Sequence, residues 1–259
     1  MILDPAILHD PWFWLLGVPA VVLIGLGKGG FVGVGTLAIP LMALAVPPVQ
    51  SAAILLPLLI VTDAVGVWAF RRSWDARIMW IMLPGAALGV GLGYAFAASL
   101  SEDWILIALG LISVLFGADR LWAGRGGRVA PSQRLPDWAG ALCGVAAGLT
   151  SQIAHAGAPP YQLYVMPQRL ARDVLVGTTA IFFAAVNWIK VPAYAQLGQF
   201  TAVNAVASAA LLPVAVVATF AGVRLVRRVD PDRFYVIVYW LTVLVGFKLL
   251  WDGIAKLAA

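Results

Sequence analysis

Apolar runs of bilayer-spanning length recur from Trp12 almost to Leu257, with only short polar breaks between them. A chain built this way has few options. The hydrocarbon core offers no water to satisfy backbone groups, so each spanning run must close its hydrogen bonds within itself, as a helix does. Charge is scarce in the same measure: 11% of residues are charged and 62% are hydrophobic, with a mean hydropathy of +0.94. Soluble domains carry about 25% charged residues. These values exclude a soluble enzyme, a secreted disulfide scaffold and a disordered chain, and leave an all-α integral membrane protein embedded in a lipid bilayer. Cys143 is the only cysteine, which rules out an intrachain disulfide, an iron–sulfur cluster and a cysteine zinc site. The first ten residues, with Asp4 and Asp10 and no Lys or Arg, lack the basic start of a signal peptide, so the first apolar run is expected to belong to the mature protein.

Ten segments emerge between the polar breaks. Six are long enough to cross a core of about 30 Å at about 1.5 Å per residue: Ser51–Phe70, Ile78–Leu100, Trp104–Ala123, Asp173–Leu197, Thr201–Val226 and Arg233–Leu257. The other four, Trp12–Leu26, Thr36–Val46, Trp138–Leu149 and Pro159–Met166, are short and come as two pairs. Their joints, Gly25–Gly35 and Thr150–Gly157, are Gly-rich or polar.

The arginines discriminate between arrangements of these pairs. If each pair were one broken helix crossing once, some arginines would lie outside, against the positive-inside tendency. If each pair returns to its side of entry, or crosses twice, and the N-terminus is outside, all thirteen arginines from Arg71 to Arg233 share one side. The acidic loop Glu102–Asp103 then lies opposite. The expectation is a multi-pass protein of the cell (inner) membrane, N-terminus and C-terminus outside and Arg-rich loops cytoplasmic. The formal charge of +5 and pI near 9.7 then report orientation, with no nucleic acid partner implied.

An internal repeat accompanies this charge pattern. Shifting the chain by 129 residues over positions 84–124 matches ten residues, among them Pro84 with Pro213, Gly93 with Gly222, Gly117 with Gly246 and Trp122 with Trp251. A weaker shift of 122 pairs Gly35 with Gly157. The organisation expected is one membrane domain of two inverted repeats, each a short helical hairpin plus three full transmembrane helices. The first half covers residues 1–124, a cytoplasmic Arg/Gly-rich linker 125–135, and the second half 136–259. Inverted repeats with interrupted helices bring substrate to the midplane, where half-helix ends converge.

The joints themselves, GLGKGGFVGVGTLAIP at 25–40 with Pro47, and GLTSQIAHAGAPP at 148–160, resemble those of the TauE/SafE sulfite exporter family, also called toluene-sulfonate uptake permeases. Asn187-Trp188-Ile189-Lys190, Tyr194 and Gly198 resemble its second half, and the likeness runs over roughly residues 15–253. His155 stands where the first half has Gly33, a departure from a simple Gly-rich pattern. The resemblance implies a permease of two related halves for small sulfur-containing anions, sulfite or organosulfonates.

An oxyanion site in a membrane needs backbone N–H donors, side-chain donors and a cation to offset desolvation. The first joint offers Gly29, Gly30 and Gly33, whose missing Cβ atoms let main-chain N–H groups approach a ligand, with the helix N-terminus near Thr36. The second offers Thr150, Ser151, Gln152 and His155, with Tyr161 and Gln162 behind them. Lys28 is either a site cation in an intramembrane turn or a lysine snorkelling into headgroups. Lys190, late in its span, is read first as snorkelling to the outer surface, and the family resemblance adds a substrate-site role as the alternative. Asp63, alone in mid-span, is either a proton carrier or lysine partner, or a helix–helix hydrogen bond. Asn187 is assigned to the path because its helix carries Lys190. His155 either couples transport to protons or hydrogen-bonds as neutral imidazole.

These residues together lead to the expectation of a secondary transporter, not an enzyme, that moves a small anionic substrate by alternating access. It needs no cofactor or metal, and its coupling ion is a proton or sodium; neither direction nor oligomeric state is indicated. No G-x-x-x-x-G-K-[ST] motif occurs, so the chain has no ATP site of that kind. An anion channel of the same architecture and, further off, a membrane-embedded enzyme are the alternatives. Cysteines introduced at Ser101 and Gly126 are expected to label from opposite sides of the membrane. Labelling from the same side contradicts the inverted arrangement.

Overall fold

In the computed structural model, residues 6–31, 33–42, 44–46, 48–96, 102–123, 132–196, 198 and 200–257 are described. Ser101 and residues 125–131 of the linker lie outside that set. Every regular element among the described residues is helical: α1 (Ala6–His9), α2 (Pro11–Lys28), a 3₁₀ turn (Val34–Leu37), α3 (Ala38–Met42), α4 (Pro48–Phe70), α5 (Ala76–Ala95), α6 (Glu102–Ala123), α7 (Asp137–Ala154), α8 (Ala158–Val165), a 3₁₀ turn (Met166–Gln168), α9 (Arg172–Gln196), α10 (Ala202–Val226) and α11 (Pro231–Leu257). Among the described residues, six stretches are long and apolar enough to cross a membrane, within α2, α4, α5, α9, α10 and α11. Helix α6, at 22 residues, is about 33 Å long at 1.5 Å per residue.

The starts follow local chemistry. Asp10 accepts a hydrogen bond from the Trp12 amide at 2.9 Å ahead of Pro11, which needs no N–H partner at the first helical position. Asp75 accepts from Ile78 N at 3.1 Å, and Thr201 from Asn204 N at 3.2 Å.

The two hairpin-like pairs are less even than their apolar runs imply. Their first legs, α2 and α7, each reach 18 residues, about 27 Å. The second legs, α3 and α8, have 5 and 8 residues. The first legs are longer than expected because polar and glycine residues at their ends remain helical. Gly25 lies against Ala218 of α10, where a side chain would collide at 2.5 Å. The Thr150 hydroxyl donates back to the Ala146 carbonyl at 2.7 Å, which satisfies it within its own helix.

Small residues set the close helix contacts, as expected where lipid gives helices no hydrophobic reason to associate. Helix α5 packs parallel to α7: Gly85 lies on Ala141, Gly89 on Val145 and Gly93 on Gln152. Helix α2 packs parallel to α10 in the same manner, Gly25 on Ala218 and Gly29 on Gly222. Helices α6 and α11 run antiparallel, with Gly253 near Asp103, Gly246 near Gly110 and Gly117 near Tyr239. Helices α4 and α9 are antiparallel too, since Asp63 meets Asn187 while Phe70 and Ser73 approach Gly177.

One contact between α6 and α11 is reciprocal under the 129-residue shift. Gly117 meets Val243, and its counterpart Gly246 meets Val114, the counterpart of Val243.

A Cβ on Gly89 would stand 2.0 Å from the Val145 carbonyl oxygen, whereas one on Gly91 would meet nothing within 4 Å. Gly89→Ala is therefore expected to lower stability in detergent by about 1–3 kcal/mol. Gly91→Ala should be neutral or slightly stabilising, since Ala is the better helix former. Equal thermal midpoints for the two variants would contradict backbone contact between α5 and α7.

Candidate functional site

The chain leaves helical geometry at two places that face one cavity. Helix α2 ends at Lys28, after which Gly29 N donates to Gly25 O at 2.8 Å and Gly30 N to Gly27 O at 3.2 Å. Gly30 and Gly33 then take φ of 137° and 98°, values that side-chain-bearing residues rarely adopt. Helix α7 ends at Ala154, and His155 turns the chain with a left-handed φ of 50°. The Ala156 amide closes this turn on the Thr150 carbonyl at 3.1 Å. Both pairs of legs thus present an irregular tip.

Between the tips lies a cavity of about 100 Å³. A single water fills roughly 10–15 Å³ on that measure, so the space admits a ligand of several heavy atoms. The first tip contributes Gly27, Lys28, Gly30 and Gly33, and the second contributes Ser151, His155 and Ala158. Helix α4 adds Leu55 and Leu59, and α9 adds Thr179, Phe183 and Asn187. Most of the wall is apolar, and its polar groups come from both halves of the chain.

Behind the wall stands Asp63, 2% exposed. Its Oδ1 accepts from Lys28 Nζ at 2.5 Å, and its Oδ2 accepts from Asn187 Nδ2 at 2.7 Å. One carboxylate therefore fixes a cation of α2 and an amide of α9, while sitting on α4. Lys28 also lies 5.7 Å from the centroid of the Phe183 ring, within range of a cation–π attraction. Two of its three ammonium hydrogens remain for other acceptors.

Lys190, one turn beyond Asn187, is fully buried. Its ammonium donates to Ser151 Oγ at 3.4 Å and lies 5.8 Å from the Tyr194 ring centroid. Accepting from Lys190 leaves the Ser151 hydroxyl hydrogen free to turn toward the cavity. His155 Nδ1 is 3.4 Å from the Tyr194 hydroxyl, while its buried Nε2 has no protein partner.

Of the residues singled out from sequence, Lys28, Gly30, Gly33, Ser151, His155 and Asn187 line the cavity. Asp63 and Lys190 stand directly behind it. Neither lysine reaches for the headgroups: Lys28 turns inward to Asp63, and Lys190 is enclosed. Gly29 serves packing, against Gly222, and Thr150 spends its hydroxyl on its own helix. Gln152 packs against Gly93 on α5, with its Oε1 buried and unpartnered. Thr36 belongs to the 3₁₀ turn after the first tip, and its side chain lies outside the described residues. Tyr161 accepts from Thr179 Oγ1 at 3.0 Å, and Gln162 accepts from Thr242 Oγ1 at 3.0 Å.

Thr179 and Phe183 were not anticipated as wall residues. The signal for them was present in the spacing: Thr179, Phe183 and Asn187 recur every four residues, which places them on one face of α9. Asn187 alone was sufficient to mark that face.

The site is a partly open, largely apolar chamber lined by an ammonium, hydroxyls, an amide and an imidazole. Such a set can bind and orient a small anion. No curated protein and no solved structure matches the chain. The family described as Sulfite exporter TauE/SafE matches residues 17–249, a stretch that contains both tips, Asp63, Asn187 and Lys190. The all-helical, multi-pass membrane architecture and this match together make the chain a member of the TauE/SafE sulfite exporter family.

Proposed function

We propose that the protein is a secondary transporter that carries a small sulfur-containing anion, sulfite or an organosulfonate, through the cavity between the two tips by alternating access. The observation that carries this reading is the ammonium of Lys28 in the cavity wall, held inward by Asp63 between tips from opposite halves. A charged lysine inside a membrane domain is costly, and its retention in a chamber marks a ligand path. The substrate's oxygens are received by Lys28, by the Ser151 hydroxyl and by Asn187. His155 Nε2 completes the set.

Alternating access needs two bodies that move about the site. The reciprocal contact between the halves, with α6 antiparallel to α11 and α4 antiparallel to α9, supports two inverted repeats, residues 1–124 and 136–259. The parallel pairs α2 with α10 and α5 with α7 each join a helix of one half to a helix of the other, so the halves interlock. Asp63 and His155 are the groups suited to carry a coupling proton. We place the protein in the cell inner membrane with both termini outside, in keeping with the arginines.

The test is ligand-dependent stabilisation of purified protein by sulfite, thiosulfate, taurine and sulfoacetate, compared with simple carboxylates. At about a hundred times Kd a bound anion adds about 2.7 kcal/mol to the wild type. Lys28→Ala is expected to lose that gain for the same ligand. An undiminished response in the variant contradicts the assignment of Lys28, and a wild type indifferent to every anion contradicts the transport site.

A further inference from the structure

We propose that Lys190 binds a proton together with the transported anion, the two being coupled through the hydroxyl of Ser151. The proposal rests on the transport-site reading above. It adds to Asp63 and His155 a third proton-binding group, whose hydrogen bond ends in the cavity wall.

Lys190 is fully buried on α9, behind the wall rather than in it. Ionisable groups face it from several elements: Lys28 on α2, Asp63 on α4, His155 after α7 and Tyr194 on its own helix. On α5, which packs against α9, the ionisable groups are Arg77 near the start and Tyr94, which donates to Gln196 at 2.7 Å. Among the described residues no carboxylate lies within ion-pair distance of Lys190, because Asp63 is committed to Lys28 and Asn187. Its own contacts are the Ser151 oxygen at 3.4 Å and the Tyr194 ring, 5.8 Å from the centroid. A hydroxyl dipole and a ring face replace little of the hydration that a buried ammonium loses, and Lys28 adds repulsion. An amine has no such cost, so the empty site holds Lys190 without its proton.

The two forms of Lys190 use Ser151 in opposite senses. The amine has a lone pair that accepts the Ser151 hydroxyl hydrogen, and that hydrogen then points away from the cavity. The ammonium has no lone pair. It donates to Ser151 Oγ, and the hydroxyl hydrogen turns to the cavity, where an anion accepts it. In the change a buffer acid gives up one proton and the Lys190 lone pair takes it. The anion supplies a counter-charge one hydroxyl away, and the proton frees the Ser151 hydrogen, so each favours binding of the other. The coupling works for a monoanion and a dianion alike.

Thiosulfate is the probe, since its charge is constant near neutral pH. Calorimetry of the purified full chain in detergent, in two buffers of different ionisation enthalpy, counts the protons taken up per anion bound. Wild type is expected to take up about one proton where uptake peaks, and affinity should weaken by up to about tenfold per pH unit as pH rises through that range. Below the range Lys190 is already an ammonium, and above it Lys190 stays an amine in the complex, so affinity is flat on both sides. Lys190→Met keeps the length of the side chain and removes the amine. It should bind more weakly, with no uptake and no slope. Ser151→Ala keeps the amine and removes the link, and uptake should fall to less than about half.

Wild type that binds thiosulfate with no proton uptake at any pH overturns the proposal, as does uptake that persists in Lys190→Met. Uptake that disappears in His155→Gln while persisting in Lys190→Met places the proton on His155 instead. Undiminished uptake in Ser151→Ala overturns the coupling through its hydroxyl. These results leave the transport-site reading standing, because anions still bind. A wild type that binds neither thiosulfate nor sulfite overturns both.

Discussion

A single carboxylate inside the membrane holds the site together. Asp63 is buried on α4 and accepts hydrogen bonds from Lys28 on α2 and Asn187 on α9. Without it, Lys28 has no reason to turn inward, since a lysine near a helix end can run along the helix and place its ammonium among headgroups. The two bonds join the first tip to the second half of the chain. They also convert an isolated cation, which the interior would expel, into a donor available at a cavity wall.

The packing around that ion pair explains why the tips can be irregular. Backbone away from regular helices is tolerated at membrane depth only where protein encloses it or where it lines a cavity. Here the surrounding helices come close through glycine: α2 on α10, α5 on α7 and α6 on α11. These contacts bring long helices together on either side and leave the short legs α3 and α8 to fill the centre. Gly30 and Gly33 then turn through positive φ without a Cβ to obstruct them, and Gly33 sits against Gln162 of the opposite tip's short leg. The chamber is a consequence of two interrupted hairpins meeting inside a frame of intact helices.

Much of this was legible in the residues. Membrane architecture followed from the near-absence of charge over long runs, and the break at each tip followed from Gly-rich or polar stretches inside otherwise apolar sequence. Lys28, Asp63, Asn187, His155 and Lys190 stood out because each is costly in a membrane and none is needed by a loop. Less legible was how those residues pair. Lys28 and Asp63 are 35 positions apart, and Asp63 and Asn187 are 124 apart. Only the packing of α2, α4 and α9 brings them together. Hydropathy also marked the first legs too short, because glycines and Thr150 lower the apolar signal while remaining helical. The division between wall and support was likewise hidden: Ser151 and Gln152 are adjacent, yet one faces the cavity and the other faces α5, a consequence of the turn of about 100° between successive helical residues.

In the proposed transport cycle an oxyanion occupies the space between the tips, touched by both halves. Selenite is a heavier analogue of sulfite whose selenium scatters anomalously, so crystals grown with it locate the anion directly. An anomalous peak is expected within hydrogen-bonding reach of both Lys28 Nζ and Ser151 Oγ. A well-ordered peak elsewhere in the membrane domain, with the cavity between Gly30 and His155 empty, would contradict it.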